Sequence, residues 1–345
     1  MNSMHYVGLD IHKKTISYCV KRMDGTITSE GEFSARRQQM DLWLETLPQP
    51  WTAAMEATIF TSWVYEHLRA GANEVKVAHP AMLKAIAASK KKNDRIDARK
   101  IADLLRADLL PECYMAPLAV RELRRRLRYR NLLVRQMTQT KNKVSSLLME
   151  SGVEYNKQKL HQKKYFRELL KTAEHLPASL SPLLELSRTT LDAFGKMERQ
   201  LVKSLQQDVL LRGRIERLMT IPAVGPITAI TWALEVGDAE RFPSHKQAVS
   251  YCGLCGAEDS SAGKAKRTPI SKQRNRYLQT VLIEAAKLAP RLDPDLAAIH
   301  AKEMEKGNRN RATLAVARKL VSYLLAVDRR QTGFTRATTT VSQAA

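Results

Sequence analysis

Two carboxylates three residues apart, Asp94 and Asp97, stand inside the basic run 90–100, KKKNDRIDARK. Apolar residues follow at helical spacing (Ile96, Ile101, Leu104, Leu105), which predicts a helix from 94 to about 109. Residues three apart share a helix face, so both acids can point the same way, and the first turn suits their charge. Two like charges held that close repel each other unless a cation sits between them, most simply Mg²⁺. Two more acids are placed to join them. Asp10 ends the apolar run MHYVGLD, and Glu56 lies near the end of WTAAMEAT. Four carboxylates (Asp10, Glu56, Asp94, Asp97) can hold two Mg²⁺ ions for phosphoryl transfer, stabilising the attacking and leaving oxygens. Taken singly, each acid also reads as a helix cap, a turn residue or a solvated charge; their joint placement favours the metal site.

The elements that must position these acids are legible. MHYVGLD (4–10) reads as a buried strand, TISYCVKR (15–22) as a second, and TITSEGEFS (26–34) as a third after an Asp24-Gly25 hairpin turn. A helix is predicted over 36–47, a strand over 51–58, a helix over 60–71 closed by Gly71, and a strand over 74–80 stopped by Pro80. Three antiparallel strands followed by alternating helix and strand is the order of a ribonuclease-H-like α/β fold. In an open α/β sheet, sites form beyond the carboxyl ends of the strands, where Asp10 and Glu56 would lie.

The rest of the chain reads as mostly helical. Residues 121–143 carry nine Lys or Arg, among them Arg124, Arg125, Arg126 and Arg128, against the single acid Glu122. Apolar residues recur at Leu123, Leu127, Val134, Met137, Val144 and Leu148, so this is a long helix, basic on one side and packed on the other. Residues 152–182 are polar and irregular and read as a hinge or a short helical insertion. A second long helix is predicted over 183–211, with Leu191, Phe194, Met197, Leu201, Leu205 and Val209 as its stripe. The two helices suit an antiparallel coiled-coil arm, or pairing between protomers. IPAVGP (221–226) reads as the turn of a helical hairpin, which either presents N–H groups to a phosphate or is simply buried. From 264 to 276 there are six basic residues (Lys264, Lys266, Arg267, Lys272, Arg274, Arg276) and no acid. Ser260-Ser261-Ala262-Gly263 precedes them as a flexible turn. Basic neighbours can ease deprotonation of a serine and bind the phosphate it attacks, although such a stretch is ordinarily just a loop. A helix near 312–327 is followed by a tail that reads as disordered.

Composition sets the class of partner. The 345 residues carry 57 Lys and Arg against 35 Asp and Glu, a formal charge of +22. Self-repulsion of that size points to a polyanion, foremost nucleic acid. A membrane is disfavoured: there is no lipidation signal, the N-terminal stretch lacks the apolar core of a signal peptide, and the longest uncharged run, 218–234, contains Pro222, Gly225 and Pro226. Four cysteines give no disulfide framework, which fits a reducing cytoplasm. Cys252 and Cys255 have zinc-knuckle spacing but no second pair.

YVGLDIHKKT, MEAT, HPAMLKAIA and KNDRIDARKIADLL, in this order, resemble the RuvC-like DEDD domain of the Piv-type insertion-sequence transposases, the bridge-RNA-guided serine recombinases of mobile elements. Asn93 stands where the family usually has Thr, and Ile59 where Gly usually follows EAT. SSAGKAKRTPISKQRNRYLQ resembles the family's C-terminal signature, a serine followed eleven residues on by Ser-Lys. Counting back from Ser271-Lys272 gives Ser260 as the nucleophile; counting forward from Gly253-Leu254 gives Ser261. Ala262 and Pro269 replace common glycines. The resemblance covers about 4–110 and 212–290. It implies an α/β plus α chain: a RuvC-like domain (1–120), a basic coiled-coil arm (121–211), a mostly helical transposase domain (212–330) and a disordered tail (331–345). It further implies donor and target DNA, a non-coding bridge RNA, Mg²⁺, a homo-oligomer (dimer or tetramer) whose two half-sites meet across protomers, and a nucleoid-associated place in a bacterial cytoplasm. Two rivals stay open. One is a RuvC-like nuclease in which water attacks, and the other is a non-enzymatic RNA- or DNA-binding protein.

Overall fold

The computed structural model describes residues 4–86, 93–173, 176–261, 264–271 and 273–336. The chain divides into two compact units, Met1–Met115 and Ala116–Ala345.

The first unit is a mixed sheet with helices. In chain order it contains β1 (His5–Ile11), β2 (Thr15–Lys21), β3 (Ile27–Ser34), α1 (Arg37–Glu45), β4 (Trp51–Glu56), α2 (Thr61–Arg69), β5 (Glu74–Ala78), α3 (Pro80–Ile86) and α4 (Asp94–Arg106). The strands are ordered β3-β2-β1-β4-β5. The first three pair antiparallel, while β1–β4 and β4–β5 are parallel. This is the predicted sequence of elements with one addition, α3, which starts on Pro80: the fixed φ that stops a strand also suits the first helical position.

Alternation along β1 gives the sheet its two faces. Val7, Leu9 and Ile11 join Met40, Trp43, Val64 and Leu68 in one buried cluster. The other face is closed by α4, with Ala54, Ala78, Leu83, Ile101 and Leu105 buried there. Gly8 is required at this seam: a Cβ would stand 2.1 Å from the Ala98 carbonyl oxygen and 2.4 Å from the Ala102 nitrogen. The buried face of α4 therefore includes Ala98 and Ala102 beside Ile101 and Leu105, a closer seam than its large apolar residues suggest. Two ion pairs tie α4 to the antiparallel strands. Buried Lys21 reaches Asp103 at 2.6 Å, and Arg99 forks onto Glu30 with both contacts at 2.6 Å.

The second unit begins with α5 (Leu118–Glu150), α6 (Lys163–Thr172) and α7 (Ser181–Gln206). Leu123 and Leu127 share a core with Leu205, Arg130 pairs with Glu198 at 2.5 Å, and Leu148 shares a separate core with Leu184. These pairings make α5 and α7 an antiparallel hairpin. Of the two readings of 152–182, a hinge or a short helical insertion, the structure has the second: α6 lies in a folded tip. Val153, Leu160, Phe166 and Leu169 pack on Val144 and Leu148. α7 stops at Gln206, short of the predicted 211, so Val209 is 94% exposed and belongs to no stripe.

Beyond the arm come α8 (Arg212–Leu218), α9 (Pro226–Val236), α10 (His245–Tyr251), β6 (Gly256–Ser261), β7 (Lys264–Ile270), α11 (Arg276–Leu288), α12 (Pro294–Met304) and α13 (Arg309–Arg330). α9 is buried from Thr228 to Val236 and anchors the large core, which also takes in the inner ends of α5 and α7. Two expectations are corrected here. The tail is ordered over 331–336: the Phe334 N–H donates to Thr220, its ring lies 4.7 Å from that of Tyr323, and Arg336 pairs with Asp293 at 2.8 Å. Ser260 and Ser261 are the last two residues of a strand rather than part of a turn. Ala262, Gly263 and Lys272 lie outside the described residues. No described helix is long and apolar enough to cross a membrane.

Candidate active site

β1 and β4 run parallel with Leu9 opposite Met55, so Asp10 and Glu56 take the next position at the carboxyl ends of neighbouring central strands. Gly8 and Ala54 face α4, and alternation puts Asp10 and Glu56 on that same side. α4 begins there. The Asn93 side chain caps it by accepting from the Arg95 N–H at 3.0 Å, which leaves Asp94 and Asp97 in the first turn with their carboxylates uncommitted to capping. Asparagine for threonine keeps that cap.

Asp10, His12 and Asp94 converge, with one ligand atom from each within 4.8 Å of the others. His12 Nε2 lies 3.2 Å from Asp10 Oδ2 and 3.4 Å from Asp94 Oδ1. His12 was absent from the residues picked out by sequence; it stands in the motif but names no role until Asp94 is seen to face it. Asp97 is near enough for its charge to act on Asp10, and its own carboxylate accepts from Lys100 at 3.2 Å. Glu56 ends the adjacent strand but is not one of the three converging residues. Burial pushes the Asp10 carboxyl above its ordinary 3.8; His12 draws it down, and Asp94 and Asp97 push it up again. An acid raised by burial, with two other acids facing it, is a place that a divalent cation would stabilise. The donors fit one. Carboxylate oxygens match Mg²⁺, and the imidazole broadens the match to Mn²⁺.

The second chemical candidate is the β6–β7 ribbon. Ser260 pairs with Ala265 and Ser261 with Lys264. The ribbon's two roots are held from below. The Ser271 N–H donates to the Cys255 carbonyl at 3.0 Å, and the Asn275 N–H to the Tyr251 carbonyl at 3.0 Å. Gln279 donates to the Gly253 carbonyl at 2.6 Å, and Arg318 to the Leu254 carbonyl at 2.8 Å. Gly253 has φ +70°, and a Cβ there would meet the Arg274 Cβ at 2.3 Å. Asn275 caps α11 by accepting from the Tyr277 and Leu278 N–H groups and donates to Glu235 at 2.9 Å. Glu235, 1% exposed, also accepts a fork from Arg128 at 3.0 and 2.9 Å. Several residues of the C-terminal signature therefore hold the ribbon in place. Cys252 and Cys255 are free thiols, and burial pushes the Cys252 thiol far up.

The basic residues divide by role. Arg124 donates to the Leu234 carbonyl at 2.9 Å and Arg128, itself exposed, clamps Glu235, so both help to fix α5 on α9. Arg125 and Arg126 are exposed. Arg274 and Arg276 are exposed beside the ribbon, Arg276 stacking 5.0 Å over Tyr277. Lys264, Lys266 and Arg267 stand on β7. The structure adds a face that the sequence reading passed over. Lys164, Arg167 and Lys171 line one exposed side of α6 at the arm tip. Burial and the charges of Lys141 and Arg188 hold nearby His161 below its ordinary 6.5, a sign of the positive field there.

Residues 7–152 match the DEDD-type transposase model of IS110, and residues 215–301 match the model described as Transposase IS116/IS110/IS902 family. The chain is 27% identical over 291 residues to a Pseudomonas aeruginosa protein described as "Probable family 20 transposase", covering 83% of this chain and 84% of that one. It is 25% identical over 293 residues to the transposase for insertion sequence element IS1328 of Yersinia enterocolitica, covering 84% of each. It is 27% identical over 254 residues to the transposase for insertion sequence element IS1111A of Coxiella burnetii, covering 70% of this chain and 67% of that one.

Proposed function

We propose that this chain, a member of the IS110 family of insertion-sequence transposases, joins donor and target DNA by serine attack on a phosphodiester, in a RuvC-like domain's metal chemistry and under the guidance of a bridge RNA. The observation that carries the metal half is the convergence of Asp10 and Asp94, with His12 between them, at the carboxyl edge of the parallel strands. The strand order β3-β2-β1-β4-β5 supports the RuvC-like assignment. When bound, Mg²⁺, as one ion or two, would supply Lewis-acid stabilisation of the charge that develops on the phosphate. Asp10 and Asp94 would hold it, with Asp97 and Glu56 completing the set from the same side of the sheet.

Ser260 is the proposed nucleophile, on the C-terminal signature and the firmly rooted ribbon. Its Oγ would form a bond to phosphorus as the bond to a sugar oxygen breaks. The hydroxyl proton leaves the serine and the departing oxygen takes one up. The phosphoserine linkage conserves the energy of the phosphodiester, so rejoining needs no ATP. Attack by water would discard that energy. Arg125, Arg126, Arg274, Arg276 and the lysines and arginine of β7 would bind the nucleic-acid backbone, which the +22 charge supports. Exchange between two duplexes needs more than one set of cutting groups, which favours a homo-oligomer acting at the bacterial nucleoid.

The test is adduct mapping with Mg²⁺, cognate DNA and co-purified RNA. A protein–DNA adduct on Ser260, absent in Ser260→Ala, is expected. An adduct on Ser261 moves the nucleophile by one residue. Cleavage by both alanine variants with no adduct refutes the serine mechanism in favour of water. Exchange that persists in Asp10→Ala refutes the metal site.

A further inference from the structure

A cleft of about 400 Å³ opens on the second unit, and none of its lining residues belongs to the acid cluster or to the β6–β7 ribbon. Its polar lining comes from four separate elements: Lys287 in the last turn of α11, Arg291 in the 3-10 turn Ala289–Arg291, the His300 imidazole on α12 and Arg309 at the start of α13. No acid lines it. Lys287 is partly neutralised by Glu284 at 2.6 Å, whereas Arg291 and Arg309 have no acidic partner among the described residues. The 22-residue α13 also begins there, adding the positive end of its dipole. Cations gathered from three elements around one concavity repel one another, and an anion seated among them removes that cost.

The chemistry selects the anion. Two guanidiniums offer paired N–H donors that match phosphate oxygens, and a protonatable imidazole adds a third donor group. Pro290 and Met304 give the same cleft an apolar wall suited to a sugar or a base rather than to a bare ion. We propose that this cleft is an additional phosphate-binding site, which holds a backbone phosphodiester of the nucleic acid that the transposase works on. This rests on the nucleic-acid reading above.

The test is the salt dependence of binding, by fluorescence anisotropy, of full-length wild type and of Arg291→Ala/Arg309→Ala, with labelled duplex DNA in one arm and single-stranded RNA in the other. Loss of two phosphate contacts lowers the magnitude of the log–log slope by about 1.8 if the cleft holds duplex DNA, or about 1.4 if it holds a single RNA strand. The arm that changes identifies the source. Arg291→Lys/Arg309→Lys keeps the charge and retains most of the slope. Both arginines are exposed, so folding should survive, as thermal melting would check. A slope unchanged in both arms overturns the proposal. So does an equal fall in Arg22→Ala/Lys246→Ala, which removes two exposed charges outside the cleft. A wild type with no salt dependence would instead sink the nucleic-acid reading itself.

Discussion

Replacing Gly8 by alanine tests whether the seam between β1 and α4 sets the geometry of the acid cluster. The added Cβ would lie 2.1 Å from the Ala98 carbonyl oxygen, where at least 3.0 Å is needed. Backbone must therefore give by about 1 Å, because neither contact is the flexible end of a side chain. α4 moves as a rod, so the shift at Ala98 and Ala102 is carried to Asp94 and Asp97 in its first turn. Overpacking of this kind costs about 1–3 kcal/mol. Displacement of catalytic groups by about 1 Å costs on the order of a hundredfold in rate. The expected result is a folded protein with a lower melting temperature, weaker Mn²⁺ binding by electron paramagnetic resonance, and DNA exchange reduced by about that factor. Ala102→Gly should not rescue it, since the clash is with main-chain atoms. A Gly8→Ala protein with unchanged melting, metal affinity and exchange would refute the argument that this contact positions the acids.

Three further outcomes are expected. His12→Ala should weaken Mn²⁺ binding, measured by calorimetry, while leaving DNA binding in place, because His12 touches the two acids Asp10 and Asp94 and is one residue in a chain of net charge +22. Glu235→Ala strands the Arg128 fork and the Asn275 amide; only the glutamate side of the pair is buried, so the cost falls below the about 3–5 kcal/mol of a fully buried pair and is read as a fall in melting temperature of the second unit. Stability should also decline in acid through Glu30. The Arg99 fork holds its carboxyl below the ordinary 4.5, so the unfolded chain binds the proton more readily. The stabilisation is complete above that ordinary value and is lost as pH falls through the depressed folded one. Arg99→Gln should flatten this limb in pH-dependent denaturation, by a modest amount because the pair is partly exposed.

Much of the first unit was legible because its strands are apolar runs that end in acids or turns, and because α4 announces itself with a cap, two acids and a helical stripe. What escaped depends on partners distant in sequence. A glycine in a strand reads as a weak position until Ala98 and Ala102 are found against it. His12 reads as one more residue of a basic turn until Asp94 faces it. Ser260 and Ser261 read as part of a turn because GAEDSS and KAKRTPI are poor in strand formers; the pairing is supported by the anchors at Cys255, Ser271, Tyr251 and Asn275. In the run of arginines on α5, charge alone gives every member the same meaning. The burial of Leu123 and Leu127 places Arg124 and Arg128, four apart, against α9, and leaves Arg125 and Arg126 outside.

Asp10 and Glu235 show why the sequence could propose a metal site but not bound it. Each is an acid at the end of an apolar stretch, and each is withdrawn from water. Glu235 meets a guanidinium fork and an amide, which satisfy its charge within the fold. Asp10 faces Asp94 and Asp97, with the exposed His12 as its hydrogen-bonding neighbour. Only the second arrangement leaves negative charge for something outside the chain to neutralise. The distinction lies in the sign of the neighbours, and those neighbours are brought there by the sheet and by the seam at Gly8 rather than by anything adjacent in sequence.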